Sequence, residues 1–376
     1  MSINSELHIL FASRLVREKW VEILIQAIER SCKDTYMRYH IVWHICSRWK
    51  HEAAIESLAK RYPQRVIYHG SVSRVGLATL YRQADFLLMP SVFLETFGLT
   101  ALESLACDTR VIWFRKWWLI SFIPPPLALD RRDPVWSFFH IIESSQYQNW
   151  IVDVKSYTET IWMILLREIF LKHSSIALLH DYSEKIGGAE YYVWQGENAL
   201  RQLEYGVWRY SYKGSTTVWK RRWMFIFSLF AFWRGVSLAR FLRDTQPDAI
   251  WMHSILRYIG YWWVRAVKRY TEKSGAKIYL SHHDVGLIAP FPQDITEEGQ
   301  IPRDSSLWAF VRGLSSTRWI LAYIKWWYVR MIKNFLPKDT THIIFSPFLE
   351  KHIQAHFPGH AISILPHSYD EEIFHP

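Results

Sequence analysis

The chain has 376 residues, a formal net charge of +10, 50% hydrophobic and 21% charged side chains. That length exceeds what one hydrophobic core fills, and that composition is too apolar for a disordered chain, so two globular domains are expected. Its longest apolar runs fall short of the roughly 20 residues that a membrane-spanning helix needs.

In chain order, short apolar or β-branched runs alternate with longer helical patterns. The first half predicts strands at His8–Ala12, His40–Trp43, Val66–Tyr68, Phe86–Met89, Val111–Phe114 and Trp150–Val154. Between the last two lies an irregular, Pro-rich stretch, Pro124 to Asn149. Its Trp136, Phe138, Phe139, Ile141 and Ile142 are too apolar for a free linker, so an ordered insertion is expected. A helix is predicted over Tyr157–Lys172. The second half predicts strands at Ile176–His180, Val207–Tyr210, Ala249–His253, Lys277–Ser281, His342–Phe345 and Ser363–Leu365. Strands alternating with helices imply parallel sheets and right-handed crossovers. The fold class is therefore α/β, with two Rossmann-like doubly wound domains, residues 1–172 and 173–376, facing across a cleft.

The opening residues lack a basic region before the first apolar run, so no secretory leader is expected. Cys32, Cys46 and Cys107 show no metal-ligand spacing. Reduced thiols and a cytoplasmic location are the expectation.

The positive charge points to an anionic partner. Much of it is local: Val218 to Arg243 and Ser305 to Lys338 each hold six basic residues and no acid, interleaved with aromatic side chains. Such helices suit the inner face of an anionic membrane or a buried helix with a basic rim, and both readings stay open. No nucleic-acid-binding module appears.

The residues that carry chemistry stand at predicted strand ends. Glu95 and Glu103 lie eight residues apart, the first just beyond Phe86–Met89 and the second inside the following helix. Ligands of open α/β sheets bind at strand ends, and a carboxylate there accepts hydrogen bonds from sugar hydroxyls. Between the two, Phe97, Gly98 and Leu99 bring backbone N–H groups to a helix start, where anions are favoured. After the first strand comes a loop carrying Arg14 and Lys19. In the second half, Gly187 and Gly188 open a helix after His180, letting backbone approach a phosphate or sugar. His282, His283 and Asp284 follow Lys277–Ser281, where a near-neutral imidazole suits a hydroxyl. His253 and Ser346 end other strands and are expected to be structural.

The stretch Pro90-Ser91 through Glu95-Thr96-Phe97-Gly98 to Glu103 resembles the Glu-x7-Glu signature of retaining nucleotide-sugar glycosyltransferases, specifically glycosyltransferase family 4. The likeness covers nearly the whole chain, in swapped order. Residues 7 to about 120 resemble the family's donor-binding domain and 174 to 376 its acceptor-side domain. The segment Ile364-Leu365-Pro366-His367-Ser368-Tyr369-Asp370 to Phe374-His375-Pro376 resembles the stretch that leads into the donor domain. A circularly permuted GT-B fold is implied.

By that resemblance Arg14 and Lys19 neutralise the donor diphosphate, and Glu103 binds the ribose. Glu95 and the backbone of Phe97, Gly98 and Leu99 hold the donor sugar. Gly187 and Gly188 close over it, and His283 acts beside Glu95 in catalysis. The implied reaction is sugar transfer from a UDP- or GDP-sugar to a glycan or lipid-linked acceptor hydroxyl, with retention. Nothing resembles an Asp-x-Asp metal site, so neither a metal ion nor another cofactor is implied.

The alternatives are a non-catalytic nucleotide- or sugar-binding relative and a basic membrane-surface scaffold. The chain departs from the family pattern at glycine. It has 21 Trp against 15 Gly, where ordinary usage of about 7% gives roughly 26 glycines. Trp20, Trp43, Trp117 and Trp118 stand where relatives usually have glycine. An inactive site, a remodelled pocket or UGA codons read as glycine in the source organism would each account for this. The last is preferred.

Overall fold

The structure is a computed structural model describing residues 6–13, 21–34, 37–46, 52–90, 98–114, 128–130, 132–144, 154–180, 188–211, 231–253, 260–283, 286–288 and 316–376. The chain forms two compact units. The first comprises Met1–Ile161 with Ser368–Pro376, and the second Trp162–His367.

The first unit carries a parallel sheet in the order β3-β2-β1-β4-β5-β6. Its strands are β1 (Glu6–Ala12), β2 (His40–Cys46), β3 (Val66–Gly70), β4 (Phe86–Met89), β5 (Arg110–Phe114) and β6 (Ala128–Leu129). All of β4 is buried, as expected for a central strand covered on both faces. Strand order reverses between β1 and β4. Asp85 fixes that junction: its backbone N–H donates to the His8 carbonyl, and its carboxylate accepts the His8 N–H at 2.8 Å.

Helices α1 (Val21–Lys33), α2 (Glu52–Arg61), α3 (Arg74–Gln83) and α4 (Leu99–Ala106) make the crossovers. Helix α1 buries Val21, Leu24, Ala27, Ile28 and Ser31, a stripe at three- and four-residue spacing. Helix α3 starts where the Ser73 hydroxyl accepts the Gly76 N–H at 3.1 Å. The Pro-rich stretch contributes β6 and α5 (Pro134–Glu143). Asp133 caps α5 and Pro134 occupies its first turn. Phe138, Phe139, Ile141 and Ile142 are buried, whereas Trp136 is exposed and stacks on His140. Of the expected strand Trp150–Val154, residues 150–153 lie outside the described residues, and Val154 caps a single 3-10 turn.

The second unit carries a parallel sheet in the order β12-β11-β10-β9-β7-β8. Its strands are β7 (Ser175–His180), β8 (Gly206–Ser211), β9 (Ala249–His253), β10 (Lys277–Ser281), β11 (Thr341–Ile344) and β12 (Ala361–Ile364). Here the order reverses between β7 and β9. The helices are α6 (Glu159–Phe170), α7 (Gly188–Gln202), α8 (Phe232–Thr245), α9 (Gly260–Ser274), α10 (Ser316–Phe335) and α11 (Glu350–His356). No helix among the described residues is long and apolar enough to cross a membrane.

Two features of the division differ from the sequence expectation of a joint at 172. From Trp162 onward α6 belongs to the second unit, because Trp162 packs on Tyr192 and Phe170 on Trp251 and Tyr279. Residues Ser368–Pro376 join the first unit. Tyr369 bridges to Thr158 and donates its N–H to the Tyr157 carbonyl, while Arg82 of α3 donates to the carbonyls of Ile373 and His375.

Candidate functional site

In the first unit Gly98 caps α4 with φ 83° and ψ 52°. A side chain is strained in this left-handed region, so glycine is the residue this cap requires. The carbonyl of Gly98 then accepts N–H groups of Ala101 and Leu102 at 2.9 and 3.2 Å. The amides of Leu99 and Thr100 begin the helix without acceptors inside it, as at every helix start. Helix α4 therefore presents its positive end beyond β4, beside the strand-order reversal where open α/β sheets bind ligands.

One turn further, Glu103 is 6% exposed. Burial pushes its carboxyl up to about 7, against the lowering effect of Arg74; nearby Asp370 raises it further. Arg74, the first residue of α3, reaches Glu103 Oε1 at 3.4 Å and Asp370 Oδ2 at 3.6 Å. The same guanidinium lies 5.0 Å from the Phe374 ring centre, and Phe374 packs on Tyr81. One half-buried cation thus joins the α4 carboxylate to the carboxy-terminal segment. A protonated carboxyl still accepts at its carbonyl oxygen, but the carboxylate is the stronger acceptor, so ligand hydroxyls would pull Glu103 toward the charged form.

Arg74 was missed in the sequence. One signal was present: a cation in a helix's first turn opposes the helix dipole and calls for a compensating anion. That the anions are Glu103 and Asp370 required the fold.

In the second unit, β7 and β9 end side by side at the paired residues His180 and His253. Both are buried. His283, two residues beyond β10, places Nε2 2.9 Å from Nδ1 of His253. Tyr192 of α7 meets the rings of His253, His283 and His367 edge-on, and Phe345 packs on His283 and His367. Burial holds His283 well below its ordinary value, with His253, His367, His180 and His282 adding to the effect. It is neutral at physiological pH, not near-neutral in pKa as the sequence suggested. A neutral imidazole still offers one donor and one acceptor.

His282 points elsewhere. Its Nε2 lies 2.7 Å from His342 Nδ1, and His342 continues to His360 at 3.1 Å. Ser346 caps a 3-10 turn through the Phe348 N–H and has the structural role expected. His253 was expected to be structural, yet it contacts His283 directly.

Glu103, Gly98 and Leu99 thus stand together at one sheet end. His283 belongs to the second unit, and Gly188 opens α7. Arg14, Lys19, Glu95, Phe97 and Gly187 lie outside the described residues, as do Trp20, Trp117, Trp118 and Asp284. Trp43 is described. It sits fully buried in β2, packs on Phe138 and donates its indole N–H to the Ser31 hydroxyl at 2.9 Å. Its backbone is not in the left-handed region. Among the described residues no group of three or more His, Cys, Asp or Glu is arranged to hold a metal ion.

Residues 3–116 match the family model described as Glycosyl transferases group 1. A D-inositol 3-phosphate glycosyltransferase of Xylanimonas cellulosilytica is 36% identical over 106 residues, 28% of this chain and 25% of that protein. An uncharacterized glycosyltransferase of Methanocaldococcus jannaschii is 33% identical over 109 residues, 29% of this chain and 27% of that one. The chain spans about a quarter of the length of the curated relatives it matches. Among solved structures, a TarM mutant of S. aureus in complex with Fondaparinux, alpha-GlcNAc-glycerol and UDP is similar over 37% of this chain and 29% of that one. That similarity has 18% identity and a TM-score of 0.31.

Proposed function

We propose that this chain transfers a sugar from a nucleoside-diphosphate sugar to an acceptor hydroxyl, with the first unit holding the donor. The observation that carries the reading is the Glu103 carboxylate, buried one turn inside α4 behind the left-handed Gly98, within the stretch that matches the glycosyltransferase family model. Glu103 would take the two ribose hydroxyls, and the α4 amides at Leu99 would face the diphosphate or the sugar. Arg14 and Lys19 would neutralise the leaving diphosphate, whose charge grows as the glycosidic bond breaks. Glu95 and the backbone at Phe97 and Gly98 would lie against the sugar.

The second unit would supply the acceptor side, with Gly187 and Gly188 at the start of α7 and His283 donating a ring N–H to a hydroxyl. Transfer with retention, no requirement for a divalent ion and a GT-B arrangement in permuted order complete the proposal. The packing of Ser368–Pro376 on α3 supports the permuted order, since that segment belongs with the donor unit although it follows the second unit in sequence. A glycan or lipid-linked acceptor fits the basic character of the chain.

The test is calorimetric titration with UDP, GDP and their sugars, followed by a transfer assay with the nucleotide that binds. The expected result is saturable binding that Glu103→Gln weakens at least about tenfold, the worth of one charged hydrogen bond. Binding without turnover would identify a non-catalytic relative. No binding of any nucleotide would overturn the proposal.

A further inference from the structure

Helices α8 and α9 lie against each other so closely that a side chain on Gly235 would come within 2.9 Å of the Trp262 carbonyl oxygen. Beside this contact they frame a groove of about 740 Å³. Each helix lends it one stripe at helical spacing, Phe232, Val236, Ala239 and Arg243 from α8, and Trp262, Arg265, Arg269 and Lys273 from α9.

The two stripes are graded in the same direction. Their amino-terminal ends are apolar: Phe232 and Val236 are 58% and 55% exposed, and the neighbouring Trp233 59%. Their carboxy-terminal ends are cationic, and among the described residues Arg243, Arg265, Arg269 and Lys273 form no ion pair. The one acid lining the groove, Asp248, is already engaged: it accepts the Ser174 N–H and hydroxyl and the Ser175 N–H at 2.8 to 2.9 Å. Arg265 rests over the Trp262 ring at 5.5 Å, a cation held on an aromatic side chain.

Clustered exposed apolar side chains mark an interaction surface, and the hydrated cations beside them attract an anionic partner. The partner that matches must be apolar at one level and anionic at the next. We propose that this face of the second unit docks on a bilayer containing anionic phospholipid. Phe232, Trp233 and Val236 enter the acyl boundary, and Arg243, Arg265, Arg269 and Lys273 lie among the phosphate headgroups. The groove accommodates a headgroup between the helices. This inference stands on α8 and α9 alone and does not depend on the sugar-transfer reading.

The experiment is flotation of the full chain with vesicles of phosphatidylcholine alone and with about 30% phosphatidylglycerol, which gives the surface a negative potential. The expected result is co-flotation with the anionic vesicles only. Raising the salt from about 0.1 to about 0.5 M should lower the bound fraction, because headgroup attraction is screened. Arg243→Glu with Arg269→Glu should reduce partitioning at least about tenfold, since each cation near such a surface contributes severalfold. Phe232→Ser with Val236→Ser should weaken it while leaving the salt dependence in place. Unchanged thermal melting of both variants confirms that folding is intact, as all four side chains are exposed. Equal flotation with neutral vesicles, no flotation with either, or variants that bind like the parent would overturn the proposal. So would loss in the charge variant with none in the apolar one, the behaviour of an acidic protein's docking site.

Discussion

Nδ1 of His253 stands 2.9 Å from Nε2 of His283, and the other ring nitrogen of His253 is buried without a hydrogen-bond partner. An orphaned buried N–H costs more than an orphaned lone pair, so the proton belongs on Nδ1 of His253. His253 then donates, His283 Nε2 accepts, and His283 keeps its own proton on Nδ1. The tautomer of the residue proposed to face the acceptor is thereby set by its neighbour.

His253→Phe retains a ring but removes that donor. Turnover with the donor sugar should fall at least about tenfold, a part of the roughly hundredfold to ten-thousandfold that an acid–base group supplies, while the donor KM stays within about twofold. Nitrogen chemical shifts of His283 should report the change of tautomer. Intact turnover with an altered KM would show that the pair only shapes the pocket.

Glu103 predicts a pH dependence with a definite sign. Its carboxyl is raised by burial from 4.5 to about 7 in the folded chain, so between those values the native state holds a proton that the unfolded state has lost. Stability therefore falls as pH rises from about 4.5 to about 7 and is flat above, by on the order of 3 kcal/mol. Glu103→Gln should abolish this slope and raise the melting temperature at pH 8. Nucleotide affinity should run the other way in the parent chain, weakening as pH drops below about 7, because ribose hydroxyls bond more strongly to the ionised carboxylate. Calorimetry in buffers of different ionisation enthalpy should detect the released proton.

Arg74→Ala should loosen the carboxy-terminal segment and raise the Glu103 carboxyl above about 7 together. Hydrogen exchange at Tyr369 to Phe374 should quicken at least about tenfold, roughly the 1–2 kcal/mol expected of a partly exposed cation with two carboxylate partners and a ring. Exchange in β1 and β2 should not change. Uniform acceleration through the unit would mean that Arg74 supports the whole fold rather than the segment.

Trp43 bears on the decoding of tryptophan codons. Its burial against Phe138 and the bond to Ser31 predict that Trp43→Gly in the chain as written costs at least about 3 kcal/mol, read by urea denaturation. Peptide mass spectrometry of protein from the native host decides which residue is made at 20, 43, 117 and 118. Tryptophan at 117 and 118 would end the glycine reading.

Most strands were legible because each is a compact apolar run between polar helices; β4, β9 and β10 match their predicted bounds. The two-residue β6 carries too few side chains to show a period, and it hides in the Pro-rich stretch with α5. Periodicity found α6 but not its allegiance, since only the positions of Tyr192, Trp251 and Tyr279 draw Trp162 and Phe170 into the second unit. Glu103 was visible because its carboxylate and the Gly98 turn share one short segment. Arg74 with Asp370, and His253 with His283, were not. Each pair joins distant segments through an ion pair or hydrogen bond, which leaves no local pattern.

Because Ser368–Pro376 returns to the first unit, the second unit is spliced into it like a cassette, entered after Ile161 and left before Ser368. Entry and exit run side by side, tied by the Thr158–Tyr369 bridge and by the Thr160 hydroxyl on Glu371 at 3.0 Å. Replacing residues 162–367 with a short Gly-Ser turn should therefore yield a minimal domain of under half the length. It would keep Gly98, Arg74, Glu103 and Asp370 in one piece, a scaffold for measuring nucleotide binding free of acceptor chemistry.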